Sequence, residues 1–118
     1  MVEFALVIAF IFIPLVFGII EFGRLIWSKT TITAAAREGV RYAVVHGSTS
    51  GSVADSAAVA NYVIARTQLS PIGVQTTWAD GKEPGDTATV RVTYVYTPIV
   101  RVISSKTITS TSRQVINY

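Results

Sequence analysis

The sequence predicts an α+β fold: a long N-terminal helix, apolar through its first half, with a small C-terminal domain of one further helix and a three- to four-stranded antiparallel sheet packed on the helix. Three observations predict it. Residues 4–20 (FALVIAFIFIPLVFGII) carry no charged or strongly polar side chain. From residue 25 to 45, apolar positions recur at spacings of three, four or seven, the period of one helical face. Beyond residue 71 the period changes to two, the mark of half-buried strands.

Composition bounds the function classes. The 118 residues are 50% hydrophobic and 14% charged, with no cysteine and one histidine. That excludes intrinsic disorder, which needs low hydrophobicity and high net charge. It also excludes a disulfide scaffold and any cysteine metal site. The formal charge of +3 is unevenly spread: residues 1–23 hold two acids and no base, residues 24–118 ten bases and five acids.

The apolar run comes first in the chain. As a helix its 17 residues span about 25 Å, the lower edge of what crosses a bilayer. It lacks the basic flank of a secretory signal peptide and ends in Glu21-Phe22-Gly23-Arg24 rather than a small-residue cleavage site. Arg24, Lys29, Arg37 and Arg41 follow it, so the positive-inside rule puts the C-terminal part in the cytoplasm unless a basic leader preceded Met1 and was removed. So apolar a helix is a poor candidate for the interior of so small a domain.

No stop signal follows Ile20 until His46-Gly47. One helix is therefore expected from about residue 3 to 46. Leu25, Ile32, Ala36, Val40 and Ala43 form its inward face, and Glu21–Arg24 and Glu38–Arg41 are i,i+3 pairs. Pro14 lies inside it and is expected to kink or locally melt it. The chain divides into residues 1–23, an apolar transmembrane or assembly half, and residues 24–118, the globular part.

Residues 47–52 (GSTSGS) read as a loop, and Ser52 with Asp55 as a capping box opening a second helix over about 53–69. Val53, Ala57, Ala60 and Ile64 would share its buried face. Ser70-Pro71 closes it. Val74, Thr76 and Trp78 alternate with polar neighbours in a first strand. After a polar turn over 79–86, Val90, Val92, Tyr94 and Tyr96 do so in a second, which Pro98 interrupts. Residues 106–116 form a threonine-rich third. The amphipathic half of the first helix is the natural cover for one face of these strands.

These residues also carry a resemblance. Val2-Glu3-Phe4-Ala5-Leu6-Val7, Pro14, then Gly18 through Arg24, and the block Ala35-Ala36-Arg37-Glu38-Gly39-Val40-Arg41-Tyr42-Ala43 resemble the TadE-like pilins of the tight-adherence pilus, relatives of type IV pilins. The resemblance implies a bacterial envelope protein made with a short basic leader and clipped by a prepilin peptidase. It would be held in the inner membrane and then packed into an extracellular pilus filament or its base, supporting surface attachment. Its partners would be other copies of itself or other pilins, through the N-terminal helix, and the pilus assembly machinery. In that family a few small residues separate the cleavage point from the glutamate matching Glu3, whereas here only Met1 and Val2 precede it. The other reading is a membrane-anchored envelope binding module, a minor pilin or adaptor that binds a partner or nucleic acid without forming the filament. The scattered bases give no specific nucleic-acid signal.

The residues singled out for subunit assembly are Glu3, Phe4, Pro14, Gly18, Glu21, Phe22 and Arg24. Glu3 either meets the N-terminal ammonium of an adjacent subunit or sits among lipid headgroups. Glu21 and Arg24 pair either between subunits or along an exposed helix face. Arg37, Glu38, Gly39 and Arg41 are assigned to packing of the helix on the domain or on a neighbour, the alternative for the three charged residues being a plain solvated face, with Gly39 fitting a close approach. No catalytic constellation, metal set or cofactor motif is recognisable, so an enzyme is not expected. His46 reads as structural or exposed; Asp80, Glu83 and Asp86 as a solvated turn; Trp27, Trp78, Tyr94 and Tyr96 as core.

Overall fold

The computed structural model describes residues 1–99 and 103–117. Helix α1 spans Val2–Val45 and helix α2 Ser56–Arg66; strands β1, β2 and β3 span Ile72–Trp78, Thr87–Tyr96 and Lys106–Val115. The fold is α+β, with a sheet of three strands among the described residues in the order β1-β2-β3, antiparallel throughout.

At about 1.5 Å per residue the 44 residues of α1 make a rod of about 66 Å, most of the 74 Å long axis of the molecule. The radius of gyration, 20.2 Å, far exceeds the roughly 13 Å of a compact chain of this length. The excess is the helix's own first half, which stands clear of the domain. Pro14 does not melt it: α1 stays α-helical across that position. The prolyl ring removes one i→i−4 bond, at the Phe10 carbonyl, while the surrounding turns keep theirs. The helix ends at His46, whose backbone N–H still reaches the Tyr42 carbonyl before Gly47 leads away.

Nine residues of α1 are buried, all from Glu21 onward: Glu21, Ser28, Ile32, Ala35, Ala36, Gly39, Val40, Ala43 and Val44. The inward face from Ile32 to Ala43 is the one its spacing predicts. Against it pack Ala88, Val90 and Val92 of β2 and Ile108 of β3, with Val59 and Val63 of α2 closing the side toward β1. Lys29 Nζ donates to the Thr109 carbonyl at 2.7 Å, and Ser110 Oγ donates to Thr33 Oγ1 at 3.1 Å, so α1 also ties down the edge strand.

The second helix departs from expectation. It starts at Ser56, not near 53, because Asp55 itself is the cap: its side chain accepts from the Ala58 N–H at 2.7 Å. It ends at Arg66. The buried face is Val59 and Val63, while Val53, Ala57 and Ile64 are exposed. Two stripes of this helix are apolar, Val59–Val63 and Ala57–Ala60–Ile64, so period alone did not single out the one that packs. Trp27 is likewise outside the core, 51% exposed on the outer side of α1.

The β strands follow their alternation. Ile72, Val74, Thr76 and Trp78 turn inward from β1. The β1–β2 turn uses Gly81 and Gly85 at φ +135° and +102°, a region L side chains rarely enter, and the Asp86 side chain accepts from the Glu83 N–H.

Candidate functional site

The apolar half of α1 ends at Glu21, and Glu21 is where the domain begins to grip it. Its carboxylate accepts from the Tyr96 hydroxyl at the end of β2 and from the backbone N–H of Ile99 just beyond. The Tyr96 hydroxyl also lies 3.2 Å from the Glu21 carbonyl. Arg24, one turn on, forms an ion pair with Glu21 at 3.6 Å and lies over the Tyr96 ring at 5.5 Å. The pair is thus intrahelical but not exposed as a whole, since Glu21 is buried. A carboxylate in such a place is costly unless donors surround it, and here strand, loop and helix supply them. Burial, with the hydrogen bond to Glu21 second, holds the Tyr96 hydroxyl above the ordinary tyrosine pKa.

Below this latch lies an open apolar groove of about 480 Å³. One wall is a stripe of α1: Pro14, Phe17, Gly18, Glu21, Phe22 and Leu25, spaced three and four apart. The other is the segment after β2, with Tyr96, Pro98, Ile103, Ser104 and Lys106. A Cβ added at Gly18 would meet nothing within 4 Å, so the glycine leaves the groove open rather than filling a contact.

Of the residues singled out in the sequence, Pro14, Gly18, Glu21 and Phe22 come together along this groove, with Arg24 beside it. Glu3 and Phe4 lie about 15 Å along the helix from Pro14, exposed in the first turns. Sequence reasoning missed the domain wall. The signals available were Tyr96 at the end of an alternating strand and Pro98 just after it, facing a glutamate at the end of an apolar run.

Higher on α1, Gly39 is a point of close approach. A Cβ there would stand 2.8 Å from Val63 Cγ2 and 3.1 Å from Val90 Cγ1, so only hydrogen lets α1, α2 and β2 meet. Glu38 accepts from the Tyr62 hydroxyl of α2 at 2.9 Å and forms no ion pair with Arg41. That bond, helped by desolvation, raises the Tyr62 pKa. Tyr42 stacks between His46 and Tyr62, with centroids at 4.1 and 4.2 Å, and Arg66 caps Tyr62 at 4.0 Å. His46 is therefore a structural residue at the helix end. Arg37 and Arg41 are exposed. Among the described residues, no three His, Cys, Asp or Glu side chains are grouped to hold a metal ion.

The free half of α1 contains an 18-residue stretch of mean hydropathy 2.7 with none of it buried, long and apolar enough to cross a membrane. Residues 1–41 match the family model described as TadE-like protein. The match takes in the exposed half of α1, the Glu21 latch on its helix side and Gly39, and it stops four residues short of the helix end. No curated protein and no solved structure matches the chain.

Proposed function

We propose that this chain is a pilin-like subunit of a tight-adherence, type IV-related pilus, assembling through its N-terminal helix into the filament or its base and serving surface attachment. The observation that carries the reading is a coincidence of two things. The segment that matches the TadE-like model contains a run of large apolar side chains that the chain itself leaves uncovered: Phe4, Phe10, Ile11, Phe12, Ile19 and Phe22 are each more than half exposed. A monomer gains nothing by this in water. A bilayer covers such a rod first, and neighbouring helices cover it next, so exchange of lipid for protein costs little hydrophobic energy.

In this reading the groove at Pro14, Gly18 and Phe22 receives apolar surface from a neighbour. Glu3 meets the N-terminal ammonium of an adjacent copy and sets axial register. Arg37 and Arg41, exposed on α1, contact neighbouring subunits. The chain resides in the inner membrane before assembly and in an extracellular filament afterwards.

The test is negative-stain microscopy of material sheared from cells, with mass spectrometry of its main band. Recovery of this chain as the bulk subunit makes it a filament pilin. Its retention in inner membranes, with filaments built from another subunit, assigns it an anchoring or adaptor role. Glu3→Ala is expected to lower filament yield; unchanged yield and helical rise would remove Glu3 from the register.

A further inference from the structure

The sheet has two faces, and among the described residues the helices cover one of them. α1 and α2 lie on the side of Ala88, Val90 and Val92, and the alternate residues face away: Gly73, Gln75 and Thr77 of β1; half-buried Thr87, Thr89 and Thr93 with exposed Arg91 and Val95 of β2; and Thr107, Thr109, Thr111, Arg113 and Val115, all exposed, of β3. We propose that this open face binds an anionic polysaccharide, its carboxylates gripped by Arg91 and Arg113 and its hydroxyls by the threonine lattice between them.

The strand register builds the surface. Arg91 lies between Gln75 and Thr111, and in the next row Thr89 lies between Thr77 and Arg113. The two arginines are therefore diagonal neighbours, with Cα atoms about 7–8 Å apart. Neither forms an ion pair among the described residues, and no carboxylate residue stands on this face. Two arginines at diagonal positions, with no carboxylate among the described residues paired to either, offer an anion two guanidinium forks to bridge.

The other positions select among anions. Threonine is stiff at its first side-chain torsion, so its hydroxyls sit on a regular grid set by the strand spacings, about 4.8 Å across and 6.8 Å along. That suits a flat chain of hydroxylated rings. No aromatic side chain lies among these positions, so nucleic-acid bases have nothing to stack on, which disfavours a single-stranded nucleic acid. The surface is open rather than pocketed, which fits a polymer better than a small molecule.

The test uses the full chain in zwitterionic lipid nanodiscs, with polygalacturonate, neutral dextran and poly(dT) as probes. Polygalacturonate should bind and dextran should not, with binding weakening as salt rises. Arg91→Gln/Arg113→Gln should reduce affinity about tenfold or more, and Arg91→Lys/Arg113→Lys, which keeps charge but loses the fork, by an intermediate amount. Arg66→Gln, which removes a charge from the helix-covered side, should reduce it no more than slightly. Equal losses from Arg66→Gln and Arg91→Gln would reduce the effect to net charge and overturn the proposal. So would absence of polygalacturonate binding, or tighter poly(dT) binding lost in the same double variant. Circular dichroism of each variant guards against misfolding.

Discussion

The two halves of α1 are one continuous helix in two different surroundings. Before Glu21 no residue is buried and the side chains are large, mostly Phe, Ile, Leu and Val. From Glu21 on, the helix buries nine residues, most of them small: Ser28, Ala35, Ala36, Gly39, Val40, Ala43 and Val44 among them. The difference shows how the molecule divides its packing. Small residues let strands and α2 come close enough to make a thin core within one chain. Large exposed residues carry contact area that only a bilayer or another chain satisfies.

The sharpest way to break that comparison is to make one substitution in both halves. Ile32 is fully buried and Ile11 is 65% exposed. In the detergent-solubilised chain, Ile32→Ala should lower the stability of the domain by about 2–5 kcal/mol, read as a shift of the urea midpoint. Ile11→Ala should leave that midpoint where it is. Equal shifts would mean that the free half packs on the domain after all.

The glycines give the next largest contrast. At Gly39 an added methyl meets Val63 and Val90, two stiff side chains. Overpacking of about 1–3 kcal/mol then competes with the roughly 1 kcal/mol that alanine gains in a helix. Gly39→Ala should be net destabilising, and Gly18→Ala, with open space around it, neutral or stabilising for the isolated chain. If Gly18→Ala nevertheless lowers filament yield, the groove is occupied by a neighbour.

The smallest effect tests the latch between the halves. Tyr96→Phe should cost about 1 kcal/mol. Because the folded chain holds the Tyr96 proton more tightly than the unfolded one, this contribution is full below the ordinary tyrosine value near pH 10 and is lost as pH climbs past the raised one. Wild type and variant should therefore converge at strongly alkaline pH in urea midpoints measured across pH. A gap that persists there would mean that the hydroxyl's bond to Glu21 is not its source.

Much of this was legible in the residue order. The apolar run, the long helix, the Ile32–Ala43 face, the strand alternation and the polar turn are all local patterns, written by period and by turn chemistry. Misread were features in which several local answers are equally good. Asp55 serves as a cap or as the N3 partner of a capping box, and α2 carries two apolar stripes, either of which could face inward. Trp27 is large and apolar, yet it lies on the outer side of a helix whose inner side was already filled.

By itself, then, the sequence determined which segments are helix and strand and that the first half of α1 must find an apolar solvent, because hydrophobic period and run length are properties of neighbours along the chain. Only the tertiary structure decided that Glu21 is a buried latch, that Tyr96 and Pro98 wall a groove against Pro14 and Gly18, and that Arg91 and Arg113 are diagonal neighbours on a bare sheet face. Those pairings join residues 22 to 84 positions apart, and no local pattern records which distant strand a side chain will meet or in what register.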